Sequence, residues 1–177
     1  MADEVPTRAD AIRMAREDRE RTLSLLDGLA PEALTTIGLG GGQWSPKDLI
    51  GHLESWEEHA LGALDAWDRG ESPRIGGQLR SIGTDELNRM EVERKAERGL
   101  DDVLASAAAT HAHLLERFEE LSDQRWAEAP LPGDGYTVGG RLGSILGGQL
   151  GGFRHDPDHW TDLEAFVAAH PATRSPG

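Results

Sequence analysis

Three histidines have the types and spacing to hold a metal ion. His155 and His159 stand four residues apart, so on a helix their imidazoles share one face, a turn from each other. Such a pair can offer two nitrogens to one divalent cation at about 2.0–2.1 Å, but a third ligand has to come from another element. His52 is the natural third, because it lies one turn from both Leu49 and Trp56 on an apolar stripe that points into the protein. Three protein ligands leave a coordination position open, where water loses a proton near neutral pH or a substrate oxygen or sulfur binds. That favours chemistry over structural support.

Other polar residues surround this set. His59, two turns beyond His52 on nearly the same face and followed by Ala60 and Ala63, is the chief rival ligand and is ranked as a pocket residue. His111 sits on an apolar stripe as a core histidine bordering the pocket. Glu54, Glu57 and Glu58 are expected on a solvated helix face. Pro157 lies between the two terminal histidines, and its missing N–H would disturb a continuous helix there. Asp156 can instead cap a new helix with Pro157 at its first position. There is no cysteine, so thiol chemistry would need a thiol from outside.

Helices must position these groups, since apolar residues recur every three or four positions and alternating β-branched runs are missing. A first helix is expected over residues 8–29, with Asp3 and Thr7 as possible caps and Arg16 and Arg19 on or beside its apolar face. Ser45, Pro46 and Asp48 form a strong start for a second, which carries the stripe Leu49, Leu53, Trp56, Ala60, Ala63, Trp67 and ends at Gly70 and Pro73. Residues 74–83 read as a crossover loop. Thr84 caps a stretch through Leu87 and Met90, and after Gly99 a long helix runs over 101–121; the pair is readable as one kinked helix. The last helix starts near Thr137. Gly139, Gly143, Gly147 and Gly151 recur along it every four residues, and since each interior glycine costs roughly 0.8–1 kcal/mol, close helix approach or pocket space is the expected reason. The tail from His170 is expected to be disordered.

The fold class is therefore all-α, an antiparallel four-helix bundle with a long crossover loop. The 177 residues fit one domain with a short flexible N-terminus. Lys and Arg number 18 against 32 Asp and Glu, and the formal charge of −14 argues against nucleic acid and anionic membrane as partners. No apolar run reaches the length of a signal core or a membrane span, which predicts a cytoplasmic protein.

The run Trp44-Ser45-Pro46-Lys47-Asp48-Leu49-Ile50-Gly51-His52-Leu53 resembles the helix-two motif of the DinB-like superfamily, and more specifically its DfsB-like branch. Trp56, Asn88 before a long third helix, and the His155, His159 pair fit the same resemblance. It implies a four-helix bundle, often a homodimer, with a divalent metal on His52, His155 and His159, zinc or nickel first among the candidates. It also implies tasks such as thiol transfer with a low-molecular-weight thiol, or self-resistance to reactive natural products. The expected function is thus a metal-dependent hydrolase or thiol transferase acting on a small molecule, with Trp56, His59, His111 and Asn88 in the substrate pocket. The alternative is a bundle that binds and sequesters a small molecule without turnover.

Overall fold

The structure, a computed structural model, describes residues 5–172. Among these residues every named element is helical, and β-pairing is limited to isolated bridges. Helix α1 (Arg8–Leu26) is capped by Thr7, whose hydroxyl accepts from the Asp10 N–H; the other cap expected there, Asp3, lies outside the described residues. A 3-10 helix, Pro31–Thr35, and a glycine turn lead to α2 (Pro46–Asp68). Ser45 and Asp48 close a reciprocal capping box, in which the Ser45 N–H donates to the Asp48 carboxylate at 2.8 Å and the Asp48 N–H to the Ser45 hydroxyl at 3.3 Å.

Residues 74–83 are helical, not a loop. They open α3 (Arg74–Lys95), which bends at Gly83, where φ is +78°. Ile75 and Leu79 pack with Trp56 and Leu87, so four apolar side chains suffice to fold a glycine-containing segment onto α2. Glycine at the bend supplies a backbone angle that side chains rarely adopt. Helix α3 ends before Gly99, which caps α4 (Leu100–Glu120), so the two are separate helices.

After the short α5 (Asp123–Ala127), the fourth position of the bundle is shared by three pieces: α6 (Val138–Ile145), α7 (His155–Asp158) and α8 (Trp160–Ala169). The expected glycine strip along one long helix does not exist. Gly139 and Gly143 belong to α6, whereas Gly147 and Gly151 form the turn beyond it, with φ +107° at Gly151 and φ +61° at Phe153. Space is still the reason for these glycines: a Cβ at Gly139 would run into the Trp126 indole, and one at Gly147 would lie 2.5 Å from the Gly143 carbonyl oxygen. Residues 170–172 are not a loose tail, because the Ala30 N–H donates to the His170 carbonyl at 3.1 Å and the Ala172 N–H to that of Gly28 at 2.9 Å. The rest of the expected disordered segment, 173–177, lies outside the described residues.

Besides the small Trp56, Ile75 and Leu87 cluster, the core forms two large apolar lobes. One gathers Ala60, Leu64, Leu114, Phe118, Leu142 and Phe153; the other gathers Leu26, Leu49, Leu53, Val103, Leu163 and Phe166. Between them, at the waist of the bundle, every helical position turns a polar group inward: Arg19 and Thr22 from α1, His52 and Glu57 from α2, His111 from α4, and His155 and Asp156 from α7.

Candidate metal centre

Helix α2 carries His52 into this waist with only 2% of its surface exposed. Its Nε2 faces His155 Nε2 at 2.9 Å, and its ring meets those of His155 and His159 edge-on, with centroids 4.7 and 5.3 Å away. One nitrogen from each of the three residues lies within 4.8 Å of the others. His159 Nε2 is buried without a hydrogen-bond partner, as is His52 Nδ1. Buried polar nitrogens are normally paired, and three imidazoles converging with one left unpaired fit a divalent cation better than a self-contained hydrogen-bond network.

Electrostatics agree with ligation. Burial, and then its histidine neighbours, push His52 well below its ordinary range, and the same causes bring His155 down to about 4. Burial also lowers His159. All three are therefore neutral near pH 7, the state in which imidazole offers a lone pair.

Pro157 does not spoil the shared face. Helix α7 begins at His155, so the proline occupies the first turn, where N–H groups have no intrahelical partner to lose. The His159 N–H then bonds back to the Asp156 carbonyl at 3.1 Å, a tight turn that hands the chain to α8. His155 and His159 finish with ring centroids 5.2 Å apart.

The four expected pocket residues surround the triad without lining one cavity. Trp56 lies edge-on to His155 at 6.1 Å between ring centroids, and its Nε1 donates to Asn88 Oδ1 at 3.0 Å. His59 stands on the far side of Trp56, 5.7 Å between centroids, and lines a cleft of about 490 Å³ between α2 and α3. Asn88 and Trp44 line another cleft, of about 430 Å³, and the Trp44 ring packs 4.8 Å from His52. His111 lies at the opposite side, in a cavity of about 30 Å³ shared with His155, Arg19 and Glu57.

Sequence reasoning missed the charged half of the waist. Glu54 and Glu57 are 1% and 5% exposed, not solvated. Glu54 receives Lys95 Nζ at 2.7 Å and the Ser106 hydroxyl. Glu57 Oε1 receives Arg19 Nη2 at 3.1 Å and faces His111 Nδ1 at 2.6 Å. Of the three acids only Glu58 keeps the expected exposure, 37% of its side chain, beside Arg94. Arginine on the apolar face of the first helix was the available signal, since a guanidinium carried inward needs a buried carboxylate.

A family model described as the DinB superfamily matches residues 14–168. That match spans most of the chain, and the chain belongs to the DinB superfamily. No curated protein matches it. Among solved structures it is similar to an uncharacterised protein from Escherichia coli UTI89, with a TM-score of 0.76, 15% identity, and coverage of 93% of this chain and 95% of that one. It is also similar to the colibactin self-resistance protein ClbS, solved in complex with a dsDNA, with a TM-score of 0.66, 15% identity, and coverage of 93% and 94%. At this identity the likeness concerns the fold.

The ClbS structure overturns the exclusion of nucleic acid drawn from composition, since a protein of the same fold is solved on a duplex. A net charge of −14 is a sum over the chain, whereas a duplex meets a local surface, and the sum does not determine that surface. No helix among the described residues is long and apolar enough to cross a membrane.

Proposed function

We propose that this protein is a metal-dependent enzyme acting on a reactive small molecule, a hydrolase or thiol transferase in a detoxification or self-resistance setting. The observation that carries the reading is the triad itself, with three ligand nitrogens within 4.8 Å of one another at the buried waist. The self-resistance role named for ClbS supports the setting, and the Trp44 to Leu53 run supports a place near the DfsB-like branch.

His52, His155 and His159 would hold the ion, zinc or nickel. When bound, it supplies a Lewis acid with an open coordination position for water, a thiolate or a substrate oxygen. The chain contributes the surroundings. Burial keeps the three imidazoles neutral, and the Trp44 and Trp56 rings wall the centre. Asn88 fixes the Trp56 indole through its N–H. The cavity of about 30 Å³ that His155 borders has room for water and not for a substrate; the cleft of about 430 Å³ lined by Asn88 and by Trp44, whose ring packs on His52, supports approach of a small molecule from that side. A sulfur nucleophile would be a co-substrate, because the chain has no cysteine.

One observation favours sequestration without turnover: the rings packed on the triad, Trp44 and Trp56, are indoles and cannot relay a proton. Elemental analysis of tag-free protein tests the metal. His52→Ala, His155→Ala and His159→Ala are each expected to lose stoichiometric metal, and full occupancy in any two would remove the site. Incubation with electrophilic esters, epoxides and enones, with and without a small thiol, separates the two readings, because an enzyme forms product beyond one equivalent and a sequestering protein stops there. Titration into a labelled DNA duplex tests whether the ligand seen with ClbS extends to this chain.

A further inference from the structure

Helix α1 donates no ligand to the triad, yet it carries Arg19, whose side chain is 7% exposed. One edge of the guanidinium grips Asp156, with Nε 2.9 Å from Oδ2 and Nη2 3.3 Å from Oδ1. The same Nη2 reaches Glu57 Oε1 at 3.1 Å. Asp156 is the neighbour of His155, and Glu57 lies five residues after His52 on α2. A single guanidinium therefore spans the two elements that bring the ligands together.

Those elements need an external tie. His155 emerges from a turn with positive φ at Gly151 and Phe153 and begins a helix of only four residues, so regular helix geometry does not set the height of its ring. The acids between the two histidines anchor the segment instead. Asp156 accepts from Arg19 and, at 2.9 Å, from the Thr22 hydroxyl, which is itself held by Trp160 Nε1 at 2.9 Å. Asp158 accepts from the Gln149 and Leu150 N–H groups at 2.5 and 3.0 Å.

We propose that Arg19 is a positioning residue for the metal centre, setting the separation between His52 and the His155, His159 pair and with it the affinity for the ion. The proposal rests on the metal-binding reading above. Arginine suits the task because its planar fork serves two carboxylates at once, whereas lysine offers one compact ammonium.

The test uses tag-free full-length protein stripped by chelation. Zinc affinity is measured against a competing chromophoric chelator, and the visible bands of the cobalt-loaded protein report ligand geometry. Arg19→Lys keeps the charge and loses the fork; it is expected to weaken zinc binding by about ten- to a hundredfold and to alter the cobalt bands while the circular dichroism of the metal-free protein is unchanged. Thr22→Val, which removes one donor to Asp156, is expected to shift both readouts in the same direction by less, and it decides the matter if Arg19→Lys does not fold. Wild-type zinc affinity and cobalt bands in the folded variants, with only a lower melting temperature, would make Arg19 a structural residue and overturn the proposal. A wild-type protein that binds neither zinc nor cobalt would instead sink the metal reading, and the positioning role with it.

Discussion

Metal-free protein should lose stability when acidified through a window set by the buried histidines. His155 is held down to about 4 from an ordinary 6.5, chiefly by burial and then by His159, against the pull of Asp156 and Asp158. In the unfolded chain the same ring takes up its proton near 6.5, so between 6.5 and about 4 the unfolded state binds more protons and stability falls as pH falls. The contribution is fully present above 6.5 and has gone by about 4; the difference corresponds to about 3 kcal/mol at most, since His155 keeps an edge at the surface. His52, His59 and His159 are lowered as well and steepen the slope in the same direction. Asp18, whose carboxyl burial raises, opposes it only within the carboxylate range. Urea unfolding of chelated protein between pH 7.5 and 4.5 measures the effect, and His155→Gln should flatten the curve. Equal stability across that range in the wild type would mean that the rings are solvated, and the neutral, buried triad would be refuted.

Stripping the metal should lower the melting temperature in proportion to the logarithm of metal concentration, because an ion at about a hundredfold its dissociation constant adds about 2.7 kcal/mol; identical melts with and without chelator would contradict bound metal. Glu54→Leu should destabilise by up to about 3 kcal/mol, since it leaves Lys95, 3% exposed, with only the more distant Glu58 carboxylate at 3.5 Å and the Gly51 carbonyl; Glu54→Leu with Lys95→Met should recover much of the loss, and equal losses in single and double variants would refute the pairing. Gly147→Leu should cost about 1–3 kcal/mol or more in a chemical melt, because its Cβ meets backbone oxygens of Gly143 and Gly151 at 2.5 and 2.8 Å. A wild-type melt for that variant would show that the turn gives way freely.

Where local chemistry dictates structure, the sequence was readable. Ser45, Pro46 and Asp48 announce α2 because a capping box and a first-turn proline are satisfied within four residues, and the 3.6-residue stripe of α4 follows from its own side chains. His52 could be paired with His155 and His159 because an inward histidine on one helix and two at helical spacing near the other end of the chain meet only if the chain bundles. The failures share a cause. Residues 74–83 fold as helix by packing, together with Leu87 of the same helix, onto Trp56 of α2, which lies outside the segment's local sequence. The glycine row reads as one helix until the backbone reversal at Gly151 and Phe153, which depends on Gly147 and Gly148 being bare enough for the turn and for Asp158 to approach. Glu57 and Glu54 look like solvated acids because their partners, Arg19, His111 and Lys95, come from three other helices.

The two-lobed core has a consequence for how the molecule opens. Helices α1, α2 and α4 run through both lobes, whereas α6 contributes to one and α8 to the other. Amide protons of α2, which is buried along most of its length, should therefore exchange only by global unfolding, while those of α6 and α8 exchange through separate partial openings. Each opening would release a different side of the waist: loss of α8 frees His159 and the tryptophan that pins Thr22, and loss of α6 frees the turn held by Asp158. A bound ion, gripping α2 and the α7–α8 junction together, would slow exchange in α8 far more than in α6.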